Sequence, residues 1–222
     1  MNGIRPALYR SILAFTLTVI MVASSGCIGL TAKLLYWMNG GHKIDPEYEG
    51  LKEKRVAVVC VSNDSASGPN SLCWMLQRAI GGMLTEKGDE IDVIDGDEIA
   101  DWIDTNDWDQ MDYREIGRGV QADMVLAVDI NSLNLHEGRT MYRGRADVTV
   151  TVFDMQDGGK AVFRKNIPDF TYPQDGARHV ADISEASFRK LFVHVLAQHV
   201  AKFFCAFSIE EDIGNDALTL GA

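Results

Sequence analysis

The residues of this 222-residue chain with the most specific chemistry on offer are four cysteines, five histidines and one stretch dense in aspartate. Zinc sites bring cysteine and histidine ligands together in closely spaced pairs. Cys27, Cys60, Cys73 and Cys205 form no CxxC, and no two histidines stand in HxxxH spacing, so no metal centre is expected. The acidic stretch DGDEIADWIDTNDWDQMD holds seven Asp and one Glu in 18 residues. A calcium loop needs alternating oxygen ligands, a glycine at its sharp turn and a glutamate at the twelfth position. That pattern is absent, so these acids read as helix caps and a solvated face. Ser62, Ser65 and Ser67 follow an apolar run, yet none stands in GxSxG or SxxK spacing, and no HExxH accompanies them. A serine nucleophile needs a base and an orienting partner, and none is in view. GPNS and the Gly pairs lack the lysine and the spacing of a phosphate loop. No catalytic residue, metal or cofactor is therefore assigned, and the chain reads as a non-enzyme.

Cys27 is the exception, because of what precedes it. Arg5 and Arg10 make a positive amino-terminal region with no acid, Ile12 to Ala23 is apolar, and Ser24, Ser25 and Gly26 are small. A positive end, a short apolar helix and a small-residue cleavage site make up an export signal. SSGC resembles a bacterial lipobox, in which the cysteine after the cut is acylated and becomes the first mature residue. Ser24 departs from the aliphatic residue usual three positions before that cysteine. Two other outcomes fit the same residues. Ser11 to Leu30 is 20 residues without a charge, long enough for an uncleaved anchor, and ordinary cleavage would release a soluble protein. All three put the remaining chain outside the cytoplasm. The lipobox outcome makes the membrane a partner through a lipid at Cys27.

The formal charge is -11, and the charged residues lost with the signal are two arginines. An acidic body repels nucleic acid and anionic membrane surfaces, so neither is expected to bind it. With Cys27 acylated, three cysteines remain in an oxidising compartment. Cys60 ends an apolar run and Cys73 lies early in the next helix, so those two could approach. Otherwise all three pack as small hydrophobes.

Residues 28–54 read as a tether, aromatic near the anchor and broken by Gly40, Gly41 and Pro46. RVAVVCV then has the continuous β-branched character of a strand buried on both faces. A helix follows, capped by Asn70 or Ser71 and stopped by Gly88, with Leu72, Leu76, Ala79, Ile80, Met83 and Leu84 on one face. EIDVID gives a second strand, and strand–helix–strand implies parallel pairing. Asp97 is placed to cap a short helix carrying Ile99, Trp102 and Ile103; another runs near Tyr113 to Gln121 and leads into the strand DMVLAVDINSLNL. TMYRGRADVTVTVFDM alternates strictly, with Tyr142, Gly144, Ala146, Val148, Val150 and Val152 on one face and a mostly polar set on the other. Such alternation fits antiparallel neighbours. QDGGK turns the chain into AVFRKNI, and FTYPQDGARHV is irregular. A closing helix of roughly 24 residues begins near Asp182, with Asp182 and Glu185 in capping-box spacing. Its stripe is Phe188, Leu191, Phe192, Val195, Leu196, His199, Phe203 and Phe204, with His199 a core histidine rather than a ligand.

The expected fold class is thus α/β (α+β): a mixed sheet with a β-α-β start, an antiparallel meander and a closing amphipathic helix, helices on one sheet face. SSGC, KRVAVVCVSND, VTVTVFDMQDGGKAVFRKNI and the closing helix together resemble a small envelope domain. It is shared by the N-terminal part of TolB, the lipoproteins that activate penicillin-binding proteins, and the curli secretion lipoprotein core. The resemblance implies a protein that acts by binding. The expected organisation is a signal over 1–26, a lipidated tether over 27–54, a globular domain over 55–207 and a loose acidic tail over 208–222. The expected function is presentation of a binding domain to another envelope protein, in an oligomeric state the sequence leaves open. Asn63, Asp64, Trp108, Arg143 and Arg145 are the candidate contact residues, since exposed Trp and Arg dominate interfaces. An oligomeric secretion pore and an envelope hydrolase without a recognisable motif are the alternatives.

Overall fold

A computed structural model describes residues 43–62, 71–106 and 112–208. The elements in chain order are β1 (Lys43–Ile44), β2 (Arg55–Ser62), α1 (Leu72–Lys87), β3 (Asp92–Val93), α2 (Gly96–Thr105), α3 (Tyr113–Gly119), β4 (Met124–Glu137), β5 (Met141–Asp154), β6 (Lys160–Tyr172), β7 (Arg178–His179), α4 (Glu185–Ala201) and β8 (Phe207–Ser208). The main sheet runs β3-β2-β4-β5-β6, and β7 pairs with β5; β1 and β8 form a separate two-stranded sheet. β2 is parallel to both β3 and β4, whereas β4, β5 and β6 are antiparallel. The class is α+β with a mixed sheet, as the alternation of runs implied.

β2 is the strand buried on both faces. Val56 and Val58 point into one core with Leu76, Ile80, Leu84, Phe188, Phe192 and Leu196. Ala57 and Val59 point into a second core with Ile99, Tyr113, Ile116 and Val125. Successive strand residues face opposite sides, so two layers cover this sheet. The two long helices, α1 and α4, lie on one face as expected. The short helices α2 and α3 lie on the other, over the parallel end, because Ile99 and Ile116 are too apolar to leave in water. Each large apolar side chain fully buried this way contributes roughly 1.5–3 kcal/mol.

One helix start is decided between two candidates, and two differ from the sequence reading, each for a local reason. The Ser71 side chain caps α1 by accepting from the Trp74 N–H at 3.2 Å, which selects Ser71 over Asn70. At α2 the cap is Asp95 rather than Asp97: Asp95 accepts from the Asp97 N–H at 2.9 Å, which places Asp97 inside the first turn. At α4 the cap is Ser184, accepting from the Ser187 N–H, so the Asp182–Glu185 box does not form and the helix is 17 residues long. Ser184 sits at the turn where the chain leaves β7, and its hydroxyl reaches the orphan donor before any carboxylate does.

The buried face of α4 is also rotated from the expected stripe. Phe188, Phe192, Val193, Leu196, Ala197 and Val200 are buried, while Leu191, Val195 and His199 are half-buried. The rotation follows from α4 packing on α1 as well as on the sheet. Packed structure also begins before Arg55. Leu51 is 1% exposed, and the Tyr48 N–H donates to the Phe203 carbonyl at 2.9 Å, so part of the expected tether belongs to the globular unit. The β5–β6 turn uses Gly158 and Gly159 at positive φ, the backbone that the QDGGK sequence called for. FTYPQDGARHV is regular at both ends: its first three residues finish β6 and Arg178–His179 form β7.

Candidate functional site

β4 and β5 run on well past the short helices, leaving part of one sheet face without a helical cover. Cross-strand pairing sets Asp147 opposite Ser132 and Arg145 opposite Asn134 on β4, and Arg145 opposite Thr171 on β6. Asp147 is the hub. Its carboxylate accepts from the Ser132 hydroxyl at 2.6 Å and from the Asp169 N–H at 2.8 Å. Asp169 has φ 48 and stands where β6 bulges against β5, so its N–H lacks a ladder partner that Asp147 replaces. The Asp169 amide, followed by the Ser132 hydroxyl, holds the Asp147 carboxyl below its ordinary value.

Farther along β5, two cations meet one acid. Arg143 and Arg145 lie 3.6 and 3.4 Å from the two Glu137 carboxylate oxygens, and Arg143 also donates to the Gln174 carbonyl at 2.9 Å. The Arg143 side chain is 25% exposed and that of Arg145 is 50% exposed. The buried Nε of Arg143 has no hydrogen-bond partner. One carboxylate shared by two guanidinium groups leaves net positive charge at the end of the hairpin, on an otherwise acidic chain. Held in place, such a pair can bind a carboxylate side chain or another planar anion bidentately. A cavity of about 370 Å³ opens beside it, lined by the Phe170–Arg178 segment and Val195.

The other half of that face is closed. Thr149 and Thr151 are 8% and 5% exposed, although the sequence put them on a mostly polar face. Asn131 donates to Thr149 at 3.0 Å, and Tyr113 of α3 both stacks on Phe153 and donates to Asp129. Burial first, then the Asp129 contact, pushes the Tyr113 phenol up, so it stays a neutral donor.

Among the expected contact residues, Arg143 and Arg145 are brought together, whereas Cys27, Asn63, Asp64 and Trp108 lie outside the described residues. Trp102 is half-buried and packs on the second core. Trp74 escaped the sequence reading; it lies off the apolar stripe of α1, half-buried, with the Arg78 guanidinium 4.8 Å from its ring centre. Its only sequence signal was an aromatic out of step with that stripe. His199 stands between the rings of Phe170 and Phe203, at 5.4 and 5.6 Å. A second cavity, of about 240 Å³, lies where Gly81 and Gly82 of α1 face Val93 and Gly96.

Cys60 and Cys73 are adjacent, with their sulfur atoms 2.9 Å apart, and Cys205 is buried. Burial pushes the Cys205 thiol up to about 11. Among the described residues, no group of three or more His, Cys, Asp or Glu could hold a metal ion. No helix among them is long and apolar enough to cross a membrane.

The molecule is thus an α+β domain with a mixed sheet, two helical layers and a polar, partly uncovered hairpin. No family model and no curated protein matches the sequence. Solved structures do match, among them a bacterial lipoprotein. The PelC dodecamer from Paraburkholderia phytofirmans is 12% identical, over 74% of this chain and 96% of that one, with a TM-score of 0.41. Lipoprotein GNA1162 from Neisseria meningitidis is 13% identical, over 66% and 97%, with a TM-score of 0.42. The LpoB C-terminal domain from Salmonella enterica is 13% identical, over 53% and 84%, with a TM-score of 0.35.

Proposed function

We propose that this chain is a non-enzymatic, membrane-anchored lipoprotein of the bacterial cell envelope whose α+β domain binds another envelope protein. The observation that carries the reading is the run from Arg5 to Cys27: a positive end, an uncharged apolar stretch and Ser-Ser-Gly before a cysteine. The paired guanidinium groups of Arg143 and Arg145 are the contact surface, because an exposed arginine already fixed by a neighbour loses little freedom on binding. An acidic patch on the partner fits them. An oligomeric pore is the weaker reading, since lipid-facing strands must be apolar on one side. The outward sides of β5 and β6 carry Arg145, Asp147 and Arg164 instead.

Two measurements on intact cells test the proposal. Wild type should incorporate a fatty-acid analogue and Cys27→Ser should not; label in the variant, or none in wild type, would refute the anchor. A photo-crosslinker at position 145 should give one dominant envelope-protein adduct, lost when Arg143 is changed to Glu. An adduct pattern indifferent to that change would refute the surface.

A further inference from the structure

We propose that Cys60 and Cys73 are a dithiol–disulfide pair, which an oxidising compartment joins into one covalent tie between the end of β2 and the first turn of α1. The sulfur atoms already touch at 2.9 Å, from residues 13 positions apart. Each is fixed by its own element. β2 is hydrogen-bonded to β4 through Ser62, with Cys60 opposite Val128, and α1 is capped by Ser71 two residues before Cys73. Forming a bond of about 2.05 Å asks these side chains to approach by less than an ångström. Both cysteines pack at the edge of the larger core, which keeps them facing each other.

The two thiols divide the chemistry between them. Cys60 donates to the Cys73 sulfur, which holds the Cys73 thiol below its ordinary value, and the amino-terminal turn of α1 also favours a thiolate there. Burial, followed by the contact with Cys73, pushes the Cys60 thiol well up. Cys73 therefore attacks first. Its thiolate displaces one thiolate from a small-molecule or protein disulfide and forms a mixed disulfide. Cys60 then gives up its proton and attacks the Cys73 sulfur, expelling the second thiolate. Two electrons and two protons leave the cysteine pair, and the oxidant becomes two thiols. Cys205 is 4% exposed and takes no part. The compartment in which the bond persists rests on the export proposed above; the geometry of the pair does not.

The test uses the full-length protein in detergent, equilibrated in glutathione buffers, alkylated and digested with trypsin. Val56 to Arg78 contains both cysteines with no Lys or Arg between, whereas Cys205 lies in the separate peptide Phe203 to Ala222. With glutathione disulfide in excess, the first peptide should be unalkylated and two hydrogens lighter, and the second should carry one alkyl group. Closing a loop of this length should raise Tm by about 6–12 °C over the reduced protein. The Cys60→Ala, Cys73→Ala double variant should show no response of Tm to reductant. Two alkyl groups on Val56–Arg78 in excess disulfide, or a cross-link to the Cys205 peptide, would overturn the proposal. Alkylation of intact cells reads the other premise. A pair that oxidises in the buffer but is found reduced in cells upholds the pair and overturns the export.

Discussion

Gly144 and Phe192 give the sharpest test of how α4 sits on the sheet. A Cβ built on Gly144 would lie 2.1 Å from Cδ2 and 2.3 Å from Cε2 of Phe192, so the phenyl ring rests on the bare backbone of β5. Phe192 is fully buried, and its ring also meets Phe170 edge-on at 5.7 Å. Removing the ring should cost about 3–5 kcal/mol, from lost burial and the cavity left behind. In urea that moves the midpoint by roughly 1–2.5 M for a domain of this size. Gly144→Ala in the wild-type background forces the ring away and should cost about 1–3 kcal/mol. In the Phe192→Ala background the clash is gone, and an alanine in a strand is favoured over glycine by about 0.5–1 kcal/mol. The same substitution should then turn stabilising, a coupling of roughly 1.5–4 kcal/mol across the double-mutant cycle. The assay is urea unfolding of a chain beginning at residue 43, followed by circular dichroism. Arg189→Ala is the control: it removes only a half-exposed pair with Glu185 and should shift stability by less than about 0.5 kcal/mol. If Gly144→Ala cost the same in both backgrounds, Phe192 would not lie over β5, and the docking of α4 described here would be refuted.

Gly119→Ala should detach α2 from α3, because its Cβ would come within 2.1 Å of the Trp102 indole; a loss of about 1–3 kcal/mol with a red-shifted tryptophan emission is expected. Asp123 accepts from the Arg55 N–H and from Gln156, both at 3.0 Å, and the first contact leads in holding its carboxyl below 3.8. Its contribution is therefore present above that value and lost as pH falls through the lower folded one. Asp123→Asn should cost less than about 1 kcal/mol at neutral pH, and the difference from wild type should shrink as acid unfolding is carried below pH 3.8. Asp95 and Asp112 serve as helix caps, so millimolar calcium should leave Tm unchanged; a rise of several degrees with calcium but not magnesium would overturn that role.

The sequence by itself determined what short-range periodicity can carry. The continuous apolar run of β2, the three-and-four spacing on α1, the alternation of β5 and the glycines of the following turn each specify the type of element from neighbouring residues alone. What only the tertiary structure decided concerns partners far apart in the chain. β2 lies between β3 and β4, and Ile99 and Ile116 form a second core because α2 and α3 lie on the face opposite α1 and α4. The buried stripe of α4 moved to Val193, Ala197 and Val200 because α1 covers its flank. Ser184 and Asp95 replaced the expected caps because the path of the incoming chain, not the residue type, selects which oxygen meets the first free amide. The convergence of Arg143 and Arg145 on Glu137, and of Cys60 on Cys73, likewise depends on strand register and helix docking. Those are fixed by packing between segments, and no local pattern encodes them.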